Sequence, residues 1–105
     1  MSEEFVVVLT TLPANSAPSG FARTLVGERL AACVNILPAM TSVYRWEDGI
    51  EEEPEYQLVI KTARLRLPAL KERLRTLHPY DVPELIVLPI IDGSEPYLRW
   101  IGESV

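Results

Sequence analysis

Two stretches of the chain are apolar at almost every position, and they organise the prediction of the fold. Residues 5–9 read FVVVL and are followed by two threonines, and residues 85–91 read LIVLPII. Short, continuous apolar runs that are rich in β-branched residues are typical of strands buried on both faces of a sheet. We therefore predict two central strands at these positions.

Two segments with helical periodicity lie between these strands. Apolar residues recur at helical spacing over residues 16–29, and this segment follows Asn15 and includes Ser16, whose side chains are good helix caps. A leucine stripe predicts a second helix from Pro68 to His78. That helix must stop there because a proline comes next, and proline disfavours helical dihedral angles at the residue before it.

The middle of the chain has the pattern of strands joined by a hairpin. Residues 32–37 predict a second strand, and residues 42–46 alternate in character before the dipeptide Asp48-Gly49. An Asp-Gly pair between two strand patterns is a strong signal for a two-residue hairpin turn. The return strand is predicted to carry the acidic residues 51–53 near its tip and to continue over residues 56–62, so this part of the chain should form a long arm.

A short helix from Pro96, capped by Ser94, completes the order of elements. The order of strand, helix, strand, strand, helix and strand predicts an α+β, ferredoxin-like (βαββαβ) domain, with an antiparallel sheet and two helices on one face. Two helices cover only one face, whereas the strands at residues 5–9 and 85–91 are apolar on both. Further copies of the same chain are the simplest cover for the second face.

Composition narrows the class of protein. The 105 residues are 48% hydrophobic and 24% charged, which fits one globular domain over residues 1–105. The net charge of -5 supplies no general attraction to nucleic acid or to an anionic membrane, and no apolar run is long enough to cross a bilayer. A single cysteine and an acidic N-terminus unlike a signal peptide indicate the cytoplasm.

The only histidine, His78, opens the turn HPYDVPE at residues 78–84 and is the first candidate for chemistry. A histidine at a helix end more often interacts with the helix dipole, so a structural role competes with metal ligation by a solvent-accessible ring. Cys33 lies mid-strand among small apolar residues, where a free cysteine usually packs as a hydrophobe.

Asp81 and Glu84 could act as acid and base, although acidic turns are commonly solvated connections. No nucleophile elbow, zinc-protease helix or phosphate-binding glycine loop is present, so we expect no enzyme activity.

A second group of candidates is largely aromatic. Aromatic side chains with a polar tip either line a ligand cleft or fill a subunit interface, and interfaces are enriched in them. Lys61, at the end of an apolar strand, should have an acidic partner, and Glu84 is the candidate. The predicted inter-subunit cleft residues are therefore Tyr44, Trp46, Lys61, Tyr80, Glu84 and Trp100.

Five segments together resemble one known family along nearly the whole chain. They are RLAACVN at residues 29–35, SVYRW at 42–46, IKT at 60–62, HPYDVPE at 78–84 and YLRW at 97–100. In their order and spacing they resemble the CutA family, the divalent-cation tolerance proteins. The resemblance implies a ferredoxin-like subunit in a tight homotrimer, a cytoplasmic role in metal-ion tolerance, copper binding in some members and no established catalysis.

The chain differs from the family at the positions of the copper ligands. Members with a described copper site have a cysteine at the end of the first strand and two adjacent histidines before the Pro-Tyr pair, whereas this chain has Thr10, Leu77 and His78 there. Only His78 carries over, so we expect weak binding of copper or another divalent ion, completed by Glu84, Asp81 or a neighbouring subunit. The alternatives are a PII-like signalling trimer that holds a small anionic ligand between subunits, and a scaffold for a protein partner.

Overall fold

The computed structural model describes residues 4–105 and has the predicted α+β class with an antiparallel sheet. Over residues 4–105, five strands and three helices follow one another, with a single 3-10 turn at Arg64–Arg66 before the second helix. None of the helices within residues 4–105 has the length and apolar character needed to span a bilayer. The elements are β1 (Phe5–Pro13), α1 (Pro18–Gly27), β2 (Cys33–Ile36), β3 (Met40–Trp46), β4 (Gly49–Ala63), α2 (Leu67–Leu77), β5 (Ile86–Pro89) and α3 (Glu95–Ser104).

The sheet is built around the antiparallel pair of β1 and β4. Their register runs from Phe5 opposite Ala63 to Pro13 opposite Glu55, and the strand order is β2-β4-β1-β5. The outer half of β4 pairs with β3, from Met40 opposite Glu55 to the hairpin turn. With its 15 residues, β4 continues from the sheet into this arm, which confirms the predicted long return strand.

One face of the sheet forms the core with the first two helices. The β1 and β4 side chains of the core cluster on this face are fully buried, and they pack against Leu25 of α1 and against Leu70 and Leu74 of α2. Both helices therefore cover the same face, as predicted. The strand residues in this cluster are Val6, Val8 and Ile60.

The opposite face of the sheet, which we call the open face, is only partly covered by the chain itself. Its apolar side chains alternate with those of the core, and Ile86 and Leu88 of β5 are 46% and 45% exposed. Helix α3 covers one end, where Gly102 lies against the ring of Phe5. The open face is formed by Val7, Leu9, Val59, Ile86 and Leu88.

The helix ends differ in part from the predicted caps. Ala17, and neither Asn15 nor Ser16, occupies the N-cap position of α1, because the Ser16 hydroxyl donates instead to the carbonyl of Pro13 at 2.7 Å. Helix α1 ends at Gly27, two residues early, since Arg29 takes a left-handed φ of 60°. The predicted cap of α3 is confirmed, because the Ser94 hydroxyl accepts a hydrogen bond from Tyr97 N at 3.3 Å.

The hairpin turn lies one residue earlier than the Asp48-Gly49 pair predicted for it. Trp46 pairs with Gly49, so the two turn residues are Glu47 and Asp48, and Glu47 adopts the positive φ of 55°. The strand register along β3 and β4 therefore overrides the local preference for glycine at a left-handed position.

Two buried threonines on the core side of β1 and β4 differ in their hydrogen bonding. The Thr62 hydroxyl donates to the carbonyl of Leu30 at 2.8 Å, whereas the Thr10 hydroxyl, in a side chain that is 1% exposed, has no partner in the described structure. A buried polar atom without a partner destabilises the folded state, because it loses water and gains nothing in return. Thr10 is therefore a destabilising residue inside a well-packed core.

We expect Thr10→Val to raise the free energy of unfolding by about 1 kcal/mol, because it removes an unsatisfied hydroxyl at almost constant volume. Thr62→Val is the matched control and should lower the same quantity by about 1–2 kcal/mol, because the Leu30 carbonyl loses its donor. Urea unfolding of both variants at one protein concentration measures the two changes. Equal destabilisation by both substitutions would contradict the assignment.

Candidate functional site

A cleft of about 1240 Å³ lies where the β3–β4 arm meets β1 and the turn that follows α2. We call it the arm cleft. Alternation along the paired strands directs the even residues of β3 and the odd residues of β4 into it. Its charged and aromatic lining residues are Tyr44, Trp46, Tyr80, Glu53, Glu55, Asp81 and Glu84.

His78 uses both of its ring nitrogens: one bonds to the turn that follows α2, and the other bonds to β1. Nδ1 accepts a hydrogen bond from the backbone N–H of Tyr80 at 3.1 Å, so the proton is on Nε2, which lies 2.6 Å from the carbonyl oxygen of Thr11 and donates to it. The side chain is 8% exposed and meets the ring of Phe21 edge-on. The expectation of a solvent-accessible ring is therefore wrong: the turn folds back and seals the imidazole against β1.

Burial lowers the pKa of His78 below its ordinary value. The hydrogen bond to Thr11 and the negative charge of Glu55 oppose this shift but do not reverse it. His78 is therefore neutral at pH 7, which agrees with the one donor and one acceptor that its ring contributes.

Tyr80 connects the turn to the arm. Its hydroxyl donates to Oε2 of Glu55 at 2.7 Å, and the Glu55 side chain is 8% exposed. Burial, followed by the hydrogen bond and the charge of Glu55, raises the pKa of Tyr80 well above its usual range. Tyr80 therefore remains a proton donor to the carboxylate at any physiological pH.

Glu84 is held by an amide and not by the lysine predicted for it. Gln57 Nε2 donates to Glu84 Oε2 and to the carbonyl of Thr10, both at 2.9 Å, while the Lys61 ammonium donates to Asn35 Oδ1. The predicted Lys61–Glu84 pair is wrong because Lys61 lies four residues from Gln57 along β4, which separates them by about 13 Å. Lys61 instead pairs with Val7 and lies beside the apolar residues of the open face, on the same side of the sheet.

The structure brings together four of the six predicted cleft residues. Tyr44, Trp46, Tyr80 and Glu84 line the arm cleft, whereas Lys61 does not, and Trp100 lies on α3 with its ring 5.5 Å from that of Tyr97. Sequence reasoning missed Glu53, Glu55 and Gln57. Their shared parity along β4 was the available signal, because every second residue of a strand points to the same face.

The donor groups fit a tight metal site poorly. Within residues 4–105, no three histidine, cysteine or acidic side chains converge as ligands, and both nitrogens of His78 are already hydrogen-bonded. Cys33 lies opposite Lys61 in the sheet, whereas His78 contacts Thr11, which pairs with Gln57. The predicted metal ligand and the only cysteine are therefore not neighbours.

The fold and the cleft define an α+β protein with an antiparallel sheet and three helices. The family model for the CutA1 divalent ion tolerance protein matches residues 6–104, so the chain belongs to this family. The divalent-cation tolerance protein CutA of Thermus thermophilus is 49% identical over 93% of this chain and 95% of its own. The CutA1 structure from that organism superposes with a TM-score of 0.92 at 48% identity, over 96% of this chain and 98% of the other.

A plant relative is longer than this chain. The chloroplastic CutA protein of Arabidopsis thaliana is 46% identical over 94% of this chain, which spans only 54% of that relative. The expected family resemblance is thus confirmed across bacterial and plant sequences.

We expect the stability of the metal-free protein to fall as the pH drops below about 6.5, the ordinary pKa of histidine. The unfolded chain takes up a proton at His78 near that pH, whereas the folded chain resists protonation until its lowered pKa is reached. The stabilising effect of the neutral ring is therefore present above pH 6.5 and is lost as the pH falls through the folded pKa.

Urea unfolding of wild type and His78→Gln from pH 5 to pH 8 measures this effect. His78→Gln should be less stable at pH 7 and should lack the histidine-linked loss on acidification. Thr62→Val, which is destabilised but keeps His78, is the control and should retain it. The same pH dependence in His78→Gln and wild type would show that another group is responsible.

Proposed function

We propose that this chain assembles as a homotrimer and acts in divalent-cation tolerance as a non-catalytic protein of the cytoplasm, with weak affinity for copper or a similar ion. Membership of the CutA1 family supports the role in cation tolerance. The observation that carries the proposal of assembly is the open face, where one sheet exposes apolar side chains on the side that the helices leave free.

A second and third copy of the chain suit the open face for a physical reason. Half-exposed Ile86 and Leu88 adjoin the partly buried β1 residues Val7 and Leu9, so the apolar area is continuous across two strands. Continuous apolar patches of this kind commonly mark protein interfaces, and closed symmetry is the usual arrangement of identical chains. Assembly of the subunits would remove these side chains from water.

We expect Leu88→Lys to weaken or prevent assembly, because it introduces a charge into the half-exposed apolar surface of β5 on the open face. Leu65→Lys is the matched control, since Leu65 is 78% exposed and lies on the 3-10 turn outside this face. Light scattering at micromolar concentration should give a trimer for wild type and Leu65→Lys and a smaller species for Leu88→Lys. A folded wild-type monomer would refute the proposed assembly.

We propose that metal binding is weak because both ring nitrogens of His78 already make hydrogen bonds within the subunit. A metal ion would have to take the place of one of the two hydrogen bonds to its ring, and the nearby carboxylate of Glu55 is bonded to Tyr80. Losing these bonds reduces the net affinity, and the neutral imidazole needed by a metal is depleted at low pH. Because these hydrogen bonds occupy both nitrogens of the only imidazole in the sequence, they also support a non-catalytic role.

We expect copper(II) to bind weakly to wild type, less tightly to His78→Gln and equally well to Cys33→Ser. Affinity should decrease from pH 8 to pH 5, because protonation of His78 competes with the metal. Titration calorimetry of the three metal-free proteins measures these affinities. Binding that survives in His78→Gln but disappears in Cys33→Ser would reverse the assignment, and no binding by wild type would remove it.

The alternative of a PII-like anionic ligand is not favoured by the arm cleft. Four acidic side chains line it, and no lysine, arginine or histidine does so within the described residues. A phosphate or carboxylate ligand would therefore be repelled from this part of the subunit. No contact among the described residues favours the alternative of a protein scaffold over the proposed role.

A further inference from the structure

Two aspartate–glycine pairs occur in the chain, and the structure holds them differently. Asp48-Gly49 lies at the tip of the arm, where Gly49 pairs with Trp46 in the ladder of β3 and β4. Asp92-Gly93 lies in the exposed loop between β5 and α3. There the backbone N–H of Gly93 donates to Oδ1 of Asp92 at 2.8 Å, and it has no other acceptor among the described residues. The second pair therefore has its amide nitrogen directly against its carboxyl group.

An amide nitrogen that lies against a carboxyl group can attack it. Holding two reacting groups within contact distance replaces a search for the right geometry. Gly93 has no Cβ, so its own residue does not shield the nitrogen, and it lies outside the helices and strands of residues 4–105. Its nitrogen can therefore approach Cγ of Asp92 without breaking secondary structure. The same attack on Asp48 would require Gly49 to leave its pairing with Trp46.

We propose that Asp92 is a site of spontaneous isomerisation to isoaspartate. The nitrogen of Gly93 loses its proton and bonds to Cγ of Asp92, whose hydroxyl leaves as water, so that a five-membered succinimide forms. Water then adds to one of the two carbonyl carbons of the ring. Addition at Cγ breaks the new bond and restores aspartate. Addition at the main-chain carbonyl breaks the original peptide bond, frees that carboxyl group and leaves the chain running through Cγ.

The reaction needs no oxidant, metal or partner chain, and it goes beyond the proposed cation tolerance. Its product would alter the start of α3. Isoaspartate adds one methylene group to the backbone two residues before Ser94, whose hydroxyl caps α3 by accepting from Tyr97 N. Gly93 also lies close beside the side chain of Leu98. Because a lost N-cap destabilises a helix, isomerised protein should unfold at a lower temperature.

Ageing of the folded protein in water enriched in oxygen-18 tests the proposal. Each passage through the succinimide leaves one solvent oxygen in the residue, whether aspartate or isoaspartate is formed. After weeks at 37 °C, digestion in ordinary water and mass spectrometry should find the label at Asp92. Chromatography should separate an isomer of the same peptide. Label should appear at Asp92 about tenfold or more faster than at Asp48, because only Asp92 has its nucleophile in place.

The unfolded chain separates the effect of structure from that of the sequence. In concentrated guanidinium chloride both aspartates precede a free glycine, so the two sites should take up label at similar rates. Asp92→Glu keeps the charge but would have to close a larger, six-membered ring, and it should stay unlabelled at residue 92. Asp92→Asn loses ammonia more readily than a carboxyl group loses water, so it should form isoaspartate faster than wild type.

Three results would overturn the proposal. They are no label at Asp92 in the folded wild type, equal labelling of Asp48 and Asp92 in the folded protein, and the same ratio of the two rates in folded and unfolded chains. The last would show that the sequence alone sets the reactivity. Light scattering on the same samples reports assembly separately, so failure of the trimer and failure of this site are distinguishable.

Discussion

The nine-residue antiparallel pairing of β1 with β4 is the constraint on which the rest of the structure depends. Since side chains alternate along both strands, this register assigns each residue to one of two faces. Val8 and Ile60 lie side by side under the helices, whereas Leu9 and Val59 lie side by side on the open face. A slip of one residue would exchange these two sets, expose the core and dismantle the arm cleft.

The same pairing brings the cleft's polar network together. Thr11 presents its carbonyl to His78, Gln57 opposite it holds Glu84, and Glu55 receives the hydroxyl of Tyr80. The turn after α2 is thus attached to the sheet through three hydrogen bonds between residues far apart in sequence. Buried polar groups of this kind rigidify a structure when their hydrogen bonds are satisfied. In this network Gln57, His78 and Tyr80 each donate one of the hydrogen bonds that hold the turn in place.

The open face and the arm cleft make different demands on a partner. The open face is apolar and roughly continuous, which suits another copy of the chain with the same properties. The cleft instead combines carboxylates with half-exposed aromatic rings. Both features lie on the same side of the sheet, because the odd-numbered residues of β4 face both of them.

The local sequence pattern determined the class of fold, because apolar periodicity and helix-breaking residues affect the conformation of only a few neighbouring residues. Residues 5–9, the leucine stripe after Pro68 and the cap at Ser94 indicated the strand, helix and helix start that the structure contains, and YRW and HPYDVPE indicated the family. Only the tertiary structure decided which partners the polar residues meet. Glu84 bonds to Gln57 instead of Lys61, and His78 is sealed against β1, because strand register and turn geometry set distances that no local pattern encodes.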